Sequence, residues 1–206
     1  MKGVLQKIGR DIWAYMVCIL VVFFIWDWAF GYLTRIKTEE KVSVFIGSYS
    51  VSYDKADYLN ETRPEYLKVV QVNAYSLDVG MFPTYLNVFG YVESDILILP
   101  EFCISEEICT NYYAEIFEEY QNVFKDLGCN LGFYGESNVY GIKIHDKESG
   151  ESLIKGIDYG EGENEEDYYL LFNKRSLHLS DLSGGKPSEM NGAIEVAKRL
   201  LSYEET

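Results

Sequence analysis

Five residues stand where chemistry could be done: Ser48, Tyr49, Tyr75, Ser76 and Glu101. Each follows a run of β-branched or aliphatic residues, in KVSVFIG, LKVVQVNA and DILILP. If those runs are parallel strands of an open α/β sheet, the five sit at carboxyl ends, where such sheets bind ligands. Together they offer hydroxyls, aromatic rings and a carboxylate. That chemistry suits a small polar ligand, such as a sugar or a peptide-like molecule, which needs a ring to stack on and directional hydrogen bonds. The alternative is that they are loop residues and nothing more.

Other groups are less informative. There is no Walker loop, no GxGxxG and no GxSxG elbow. His145 and His178 have no nucleophile beside them in sequence and read as solvated or capping residues. Carboxylates abound, but a sequence does not show two of them facing one substrate. The acidic stretch Asp158–Asp167 could gather oxygen ligands for calcium, yet it lacks the EF-hand spacing and reads better as a solvated loop. Asn60-Glu61-Thr62 is a glycosylation sequon, relevant only in a eukaryotic secretory route. The expectation is a non-catalytic chain without cofactor or metal. Cys103, Cys109 and Cys129 admit one disulfide or three buried thiols, and no Cys/His pattern suggests zinc.

Behind the candidate residues lie the elements that must position them. Lys41–Gly47 and Tyr66–Tyr75 read as strands, with a short helix near Asp54–Leu59 between them. Val79–Glu93 reads as a helix with Pro83 in its first turn. Asp95–Pro100 is a continuous apolar run, as in a strand buried on both faces. Ser105–Leu127 reads as one long helix, capped by Ser105 and ended by Gly128. Its apolar stripe is Ile108, Tyr112, Ile116, Tyr120, Val123 and Leu127. Val139–His145 and Ser152–Asp158 flank the turn Lys147–Gly150 as a hairpin. Tyr168–Phe172 is a further strand and Glu189–Tyr203 a terminal amphipathic helix. Strands alternating with helices predict an α/β fold with a mixed, mostly parallel sheet flanked by helices.

An apolar stretch, Ile12–Leu33, precedes this domain, with Asp27 as its only charge. At 1.5 Å per residue a helix of these residues spans roughly the 30 Å core of a bilayer. Bulky Trp26, Trp28 and Phe30 stand where a cleaved signal peptide would need small residues. The stretch reads as an N-terminal transmembrane anchor, with Asp27 at headgroup level or in contact with a partner helix. Residues 1–11 are then a cytoplasmic tail, 12–33 the anchor, 34–40 a linker and 41–206 an extracytoplasmic domain. The N-terminal amine and short tail favour this orientation, although Lys and Arg are nearly balanced across the anchor. The chain has a net charge of −15, and residues 41–206 carry 13 Lys and Arg against 29 Asp and Glu. That excess disfavours nucleic acid and anionic lipid, and leaves cations and neutral polar ligands as easier partners. The 18 tyrosines, many beside polar residues, suggest rings available for stacking.

The order KVSVFIGSYS, YLKVVQVNAYS, then a helix leading into SDILILPE, resembles the first lobe of bacterial extracellular solute-binding proteins of ABC importers. NVYGIKIHD and DYYLLFNKRSLHL are similar to the strands that cross between lobes in that family. The resemblance spans roughly Lys41–Leu201 and implies capture of a small polar solute. Proteins of that family usually carry a second full lobe and are secreted or lipid-anchored. A single lobe has no opposite wall to close on its ligand, so weak binding is implied, or its loss. The other reading is an interaction or accessory subunit of a membrane protein complex, with partner proteins in place of the solute.

Overall fold

The computed structural model describes residues 2–34, 36–50, 54–135, 138–179 and 191–202. They form two compact units, residues 1–37 and 38–206. The first is one helix, α1 (Lys2–Thr34, 33 residues). Its side chains are described at Trp13 and from Tyr15 to Gly31, and they expose large apolar groups, from Met16 at 49% to Trp28 at 72%. Among the described residues no helix is long and apolar enough to cross a membrane. Ile12, Ala14, Tyr32 and Leu33 of the predicted anchor lie outside the residues with described side chains.

The second unit is an α/β domain built on a seven-stranded mixed sheet. Its strands are β1 (Lys41–Ser48), β2 (Val69–Ser76), β3 (Ile96–Pro100), β4 (Phe133–Tyr134), β5 (Gly141–Asp146), β6 (Glu151–Ser152) and β7 (Tyr168–Phe172). The order is β2-β1-β3-β7-β5-β4, with β6 paired to β5. β1 lies between β2 and β3, parallel to both, in a register running from Lys41↔Val69 to Ser48↔Ser76. β7 joins β3 antiparallel and β5 joins β7 antiparallel, so β1, β2, β3 and β5 all run in one sense.

Alternation along the strands builds a core on each face. Val42, Val44 and Ile46 of β1, Ile96 and Ile98 of β3, and Tyr168, Leu170 and Phe172 of β7 form one side. Phe45, Leu97, Leu99, Tyr169 and Leu171 form the other. The first side is covered by α2 (Asp54–Thr62), α6 (Glu118–Asp126) and α7 (Gly192–Leu201). The second is covered by α3 (Phe82–Tyr85), a π-helical stretch Leu86–Gly90, α4 (Tyr91–Glu93) and α5 (Glu106–Tyr112). Burial on both faces is why these strands read as unbroken apolar runs. Gly47 permits one close approach: a Cβ there would lie 2.6 Å from the Phe82 ring.

Several expectations need correction. The long helix predicted over Ser105–Leu127 is two helices separated by an extended segment, residues 113–117. Tyr113 bridges to Asn173, Ala114 N–H donates to the Phe172 carbonyl at 2.8 Å and Ile116 N–H to that of Val139 at 2.7 Å. Sheet hydrogen bonds thus replace helical ones. The break also carries the chain across the sheet: Ile108, Cys109 and Tyr112 pack on one face, Ile116, Tyr120 and Phe124 on the other. Leu127, predicted in the buried stripe, is exposed. The helix predicted from Val79 begins at Phe82 and contains the π-helical stretch, and the strand predicted from Ser152 to Asp158 is reduced to the short β6 at Glu151 and Ser152 with an isolated bridge at Ile157. The terminal helix runs Gly192–Leu201; Glu189, Met190 and Tyr203 lie outside the described residues.

Both histidines are buried rather than solvated. His178 is fully enclosed, its Nε2 donating toward the carbonyls of Thr38 (3.1 Å) and Lys41 (2.9 Å). Tyrosine is also more a core residue than predicted, with Tyr91, Tyr113, Tyr159, Tyr168 and Tyr169 all buried. The four cysteines are free thiols. Cys129 packs on the opposite side of the sheet from Cys103 and Cys109, so it can pair with neither.

Candidate ligand-binding site

On the face covered by α5 the domain carries a half-open cavity of about 650 Å³. That volume falls in the range typical of small-molecule sites. Its walls come from four places. Glu101 opens a short 3-10 turn (Glu101–Cys103) immediately after β3, where Pro100 ends the strand and Glu101 N–H donates to the Asp167 carbonyl at 2.8 Å. Glu106 and Thr110 lie one turn apart on α5, which Ser105 caps as predicted by accepting the Ile108 N–H at 3.3 Å. Tyr169 comes from β7, where alternation turns it away from Tyr168 and towards the cavity. Phe133, Tyr134, Gly135, Asn138 and Tyr140 come from β4 and the connection to β5.

The connection depends on Gly135. Its φ of +109° belongs to the region that favours glycine, and a Cβ would sit 2.0 Å from the Asn138 carbonyl oxygen. Tyr134 and Tyr169 meet edge to face, with centroids 5.2 Å apart and planes at 76°. The Tyr134 hydroxyl points towards the Ile104 carbonyl at 3.4 Å, and Asn138 Nδ2 towards the Tyr140 hydroxyl at 3.4 Å. Both contacts are long enough for a ligand to compete with them.

The electrostatics are one-sided. Among the described residues, two carboxylates line the cavity and no Lys, Arg or His does. Burial raises the Tyr134 hydroxyl above its ordinary pKa, and Cys109, Glu101 and Glu106 raise it further. Burial, then the Glu101 charge, pushes Tyr169 up to about 12. Both phenols are therefore neutral hydrogen-bonding groups at neutral pH. Lys143, near Tyr169, is already held by Asp146 and by Asp167 at 2.7 Å.

Of the five residues singled out in the sequence, Glu101 alone lines this cavity. Ser48 is buried and its hydroxyl donates to the Ser50 carbonyl at 2.9 Å. Tyr49 is half-buried, with Gly160 against its ring. Tyr75 is stacked on Phe45 (4.8 Å) and on Phe89 (5.7 Å), and Ser76 Oγ accepts the Asp78 N–H at 3.3 Å in the turn after β2. The carboxyl ends of β1 and β2 are thus occupied by the protein's own groups. The residues that sequence reasoning missed are Glu106, Thr110, Phe133, Tyr134, Asn138, Tyr140 and Tyr169. The visible signal was the aromatic and glycine-rich GFYGESN, which lies in no predicted element and leads into the strand predicted from Val139.

A second constellation, absent from the sequence reading, involves His145. Ser152 Oγ lies 2.8 Å from its Nδ1, and Glu165 Oε1 lies 3.2 Å from its Nε2. The contacts follow the order nucleophile, base, acid. Yet Nε2 makes no well-aligned hydrogen bond, the ring is 3% exposed, and Tyr159 stacks on it at 4.3 Å. The arrangement closes the β5–β6 hairpin beneath the acidic loop. That loop is ordered by its own groups: Asp158 accepts the Gly160 N–H at 3.1 Å and Asp167 the Lys147 N–H at 2.8 Å. Among the described residues no cluster of His, Cys, Asp and Glu is arranged to hold a metal.

Compared with family models, with curated proteins and with solved structures, the chain finds no match.

Proposed function

We propose that this chain is a membrane-anchored, non-catalytic binding domain for a small polar ligand, with the cavity between α5 and the β4–β5 connection as its site. The observation that carries the reading is the cavity itself. It combines ligand-sized volume, three tyrosines and directional polar groups in one place. A single lobe with no second one to close on the ligand implies modest affinity. The anchor is α1. Its support is a 33-residue helix, about 50 Å long, whose described side chains are mostly large and apolar, with Asp27 the one charge among them. Asp27 falls between Trp26 and Trp28, residues that favour the headgroup level. The C-terminal domain then lies outside the cytoplasm.

The site is tested with the full chain in uncharged detergent, labelled with fluorotyrosine and titrated with sugars, short peptides, amino acids and amines. Resonances of Tyr134, Tyr140 and Tyr169, assigned by Tyr→Phe substitution, should shift with one class of probe. Movement confined to Tyr49 and Tyr75 would place the site at the strand ends instead. No movement at all would favour the accessory-subunit reading. The anchor is tested by alkaline extraction of membranes: the chain should stay in the pellet, and its release would overturn that part of the proposal.

A further inference from the structure

The chemistry of the cavity walls narrows the ligand class, an inference that rests on the binding reading above. We infer that the cavity selects an organic cation: a small polar molecule carrying an ammonium or guanidinium group. The argument begins with what the walls lack. Glu101 and Glu106 bring negative charge, and among the described residues no cationic side chain lines the cavity to cancel it. Both line the same cavity, Glu101 from the turn after β3 and Glu106 from the first turn of α5. An anionic ligand would enter that field unpaired, and a neutral one would leave the charge unused.

The walls also offer what a cation needs beyond charge. Phe133, Tyr134, Tyr140 and Tyr169 line the same space, and aromatic faces attract cations through their quadrupole. One of these rings already does so: Lys125 Nζ lies 5.5 Å from the Phe133 centroid. The tyrosine hydroxyl oxygens can accept from N–H donors. Besides Lys125, two more lysines that touch the walls from elsewhere are engaged. Lys143 is bound by Asp146 and Asp167, and Lys174 Nζ donates to the Thr110 carbonyl at 3.2 Å. The chain's net charge of −15 adds a field that favours the approach of cations and disfavours anions.

The test is titration calorimetry on the full chain in uncharged detergent. Choline, arginine and spermidine serve as cation probes, glucose and an uncharged tripeptide as neutral probes, and glutamate as a probe with net negative charge. At least one cation probe should bind, and its affinity should fall as salt is raised. Glu101→Gln and Glu106→Gln should each weaken it about tenfold, with unchanged unfolding temperature and with neutral probes unaffected. Glu106 begins an exposed helix turn, so its variant keeps the test open if Glu101→Gln perturbs the turn after β3. Cation binding that survives both substitutions would overturn the inference. Binding of a neutral probe, lost in Tyr140→Ala while all cation probes stay silent, would sink the inference and leave the binding reading standing. Silence from every probe would remove both.

Discussion

Replacing Asn173 by leucine should destabilise the domain more than almost any other polar substitution in it. Asn173 follows β7 and is 2% exposed. Its amide nitrogen reaches the carbonyls of Ser94 (2.7 Å), Tyr91 (3.0 Å) and, more distantly, Gly90 (3.4 Å). Its oxygen accepts the Arg175 N–H at 2.9 Å. One side chain therefore satisfies the end of the π-helical stretch and α4 while holding the turn after β7. Leucine matches its shape but donates nothing, so at least two buried carbonyls and one N–H lose their partners. At about 1–3 kcal/mol per orphaned group, with partial relaxation, the loss is roughly 3–5 kcal/mol. For a domain of this size that lowers the unfolding midpoint by about 10 °C. Asn173→Asp should be at least as harmful, because it sets a carboxylate against carbonyl oxygens. Thermal unfolding of the full chain followed by circular dichroism measures both. A drop of under ~2 °C for the leucine variant would show that these bonds contribute little, and that the extended segment at Tyr113 holds this region without them.

Other consequences are open to measurement. Gly47→Ala places a methyl 2.6 Å from the Phe82 ring and should cost about 1–3 kcal/mol, read as a lowered midpoint; no change would mean that α3 shifts freely on the sheet. The Asp146 carboxyl is held at about 2 by Lys143 and Ser149. A depressed carboxylate adds stability above its unfolded pKa of ~3.9, and that stability disappears as pH falls towards 2. Asp146→Asn should therefore flatten the pH dependence of unfolding between about pH 4 and 2; an unchanged slope would remove the pair from the acid response. Burial pushes Cys103 up to about 12, and Cys109 and Cys129 up to about 11, so these thiols should resist iodoacetamide in the native chain and react on unfolding. Rapid native labelling of Cys109 or Cys129 would contradict their burial.

The sheet was legible because its strands are apolar on both faces and bounded by glycine, proline or polar turns. Lys41–Gly47, Asp95–Pro100 and Tyr168–Phe172 match β1, β3 and β7 to within a residue or two. The broken helix was not legible. Ile108, Tyr112, Ile116 and Tyr120 keep helical spacing through the break, and only the tertiary partners Phe172 and Val139 draw residues 113–117 into extended form. The site was legible at Glu101 alone. Strand-end reasoning assumes that the crevice is open, but Phe45, Phe89, Tyr85 and the Gly160 loop fill it around Tyr75 and Tyr49. The cavity instead lies over β7 and β4, a two-residue strand too short to show a periodicity.

Thermal unfolding of the full chain and of its Tyr140→Ala variant, across sugars, peptides, amino acids and amines, tests the central claim most directly. A ligand at about 100 times its dissociation constant adds roughly 2.7 kcal/mol, which moves the midpoint by several degrees. The account predicts such a shift with one chemical class for the native chain and its absence in the variant. A flat response from a cooperatively unfolding chain, or a shift that Tyr140→Ala leaves intact, would contradict it.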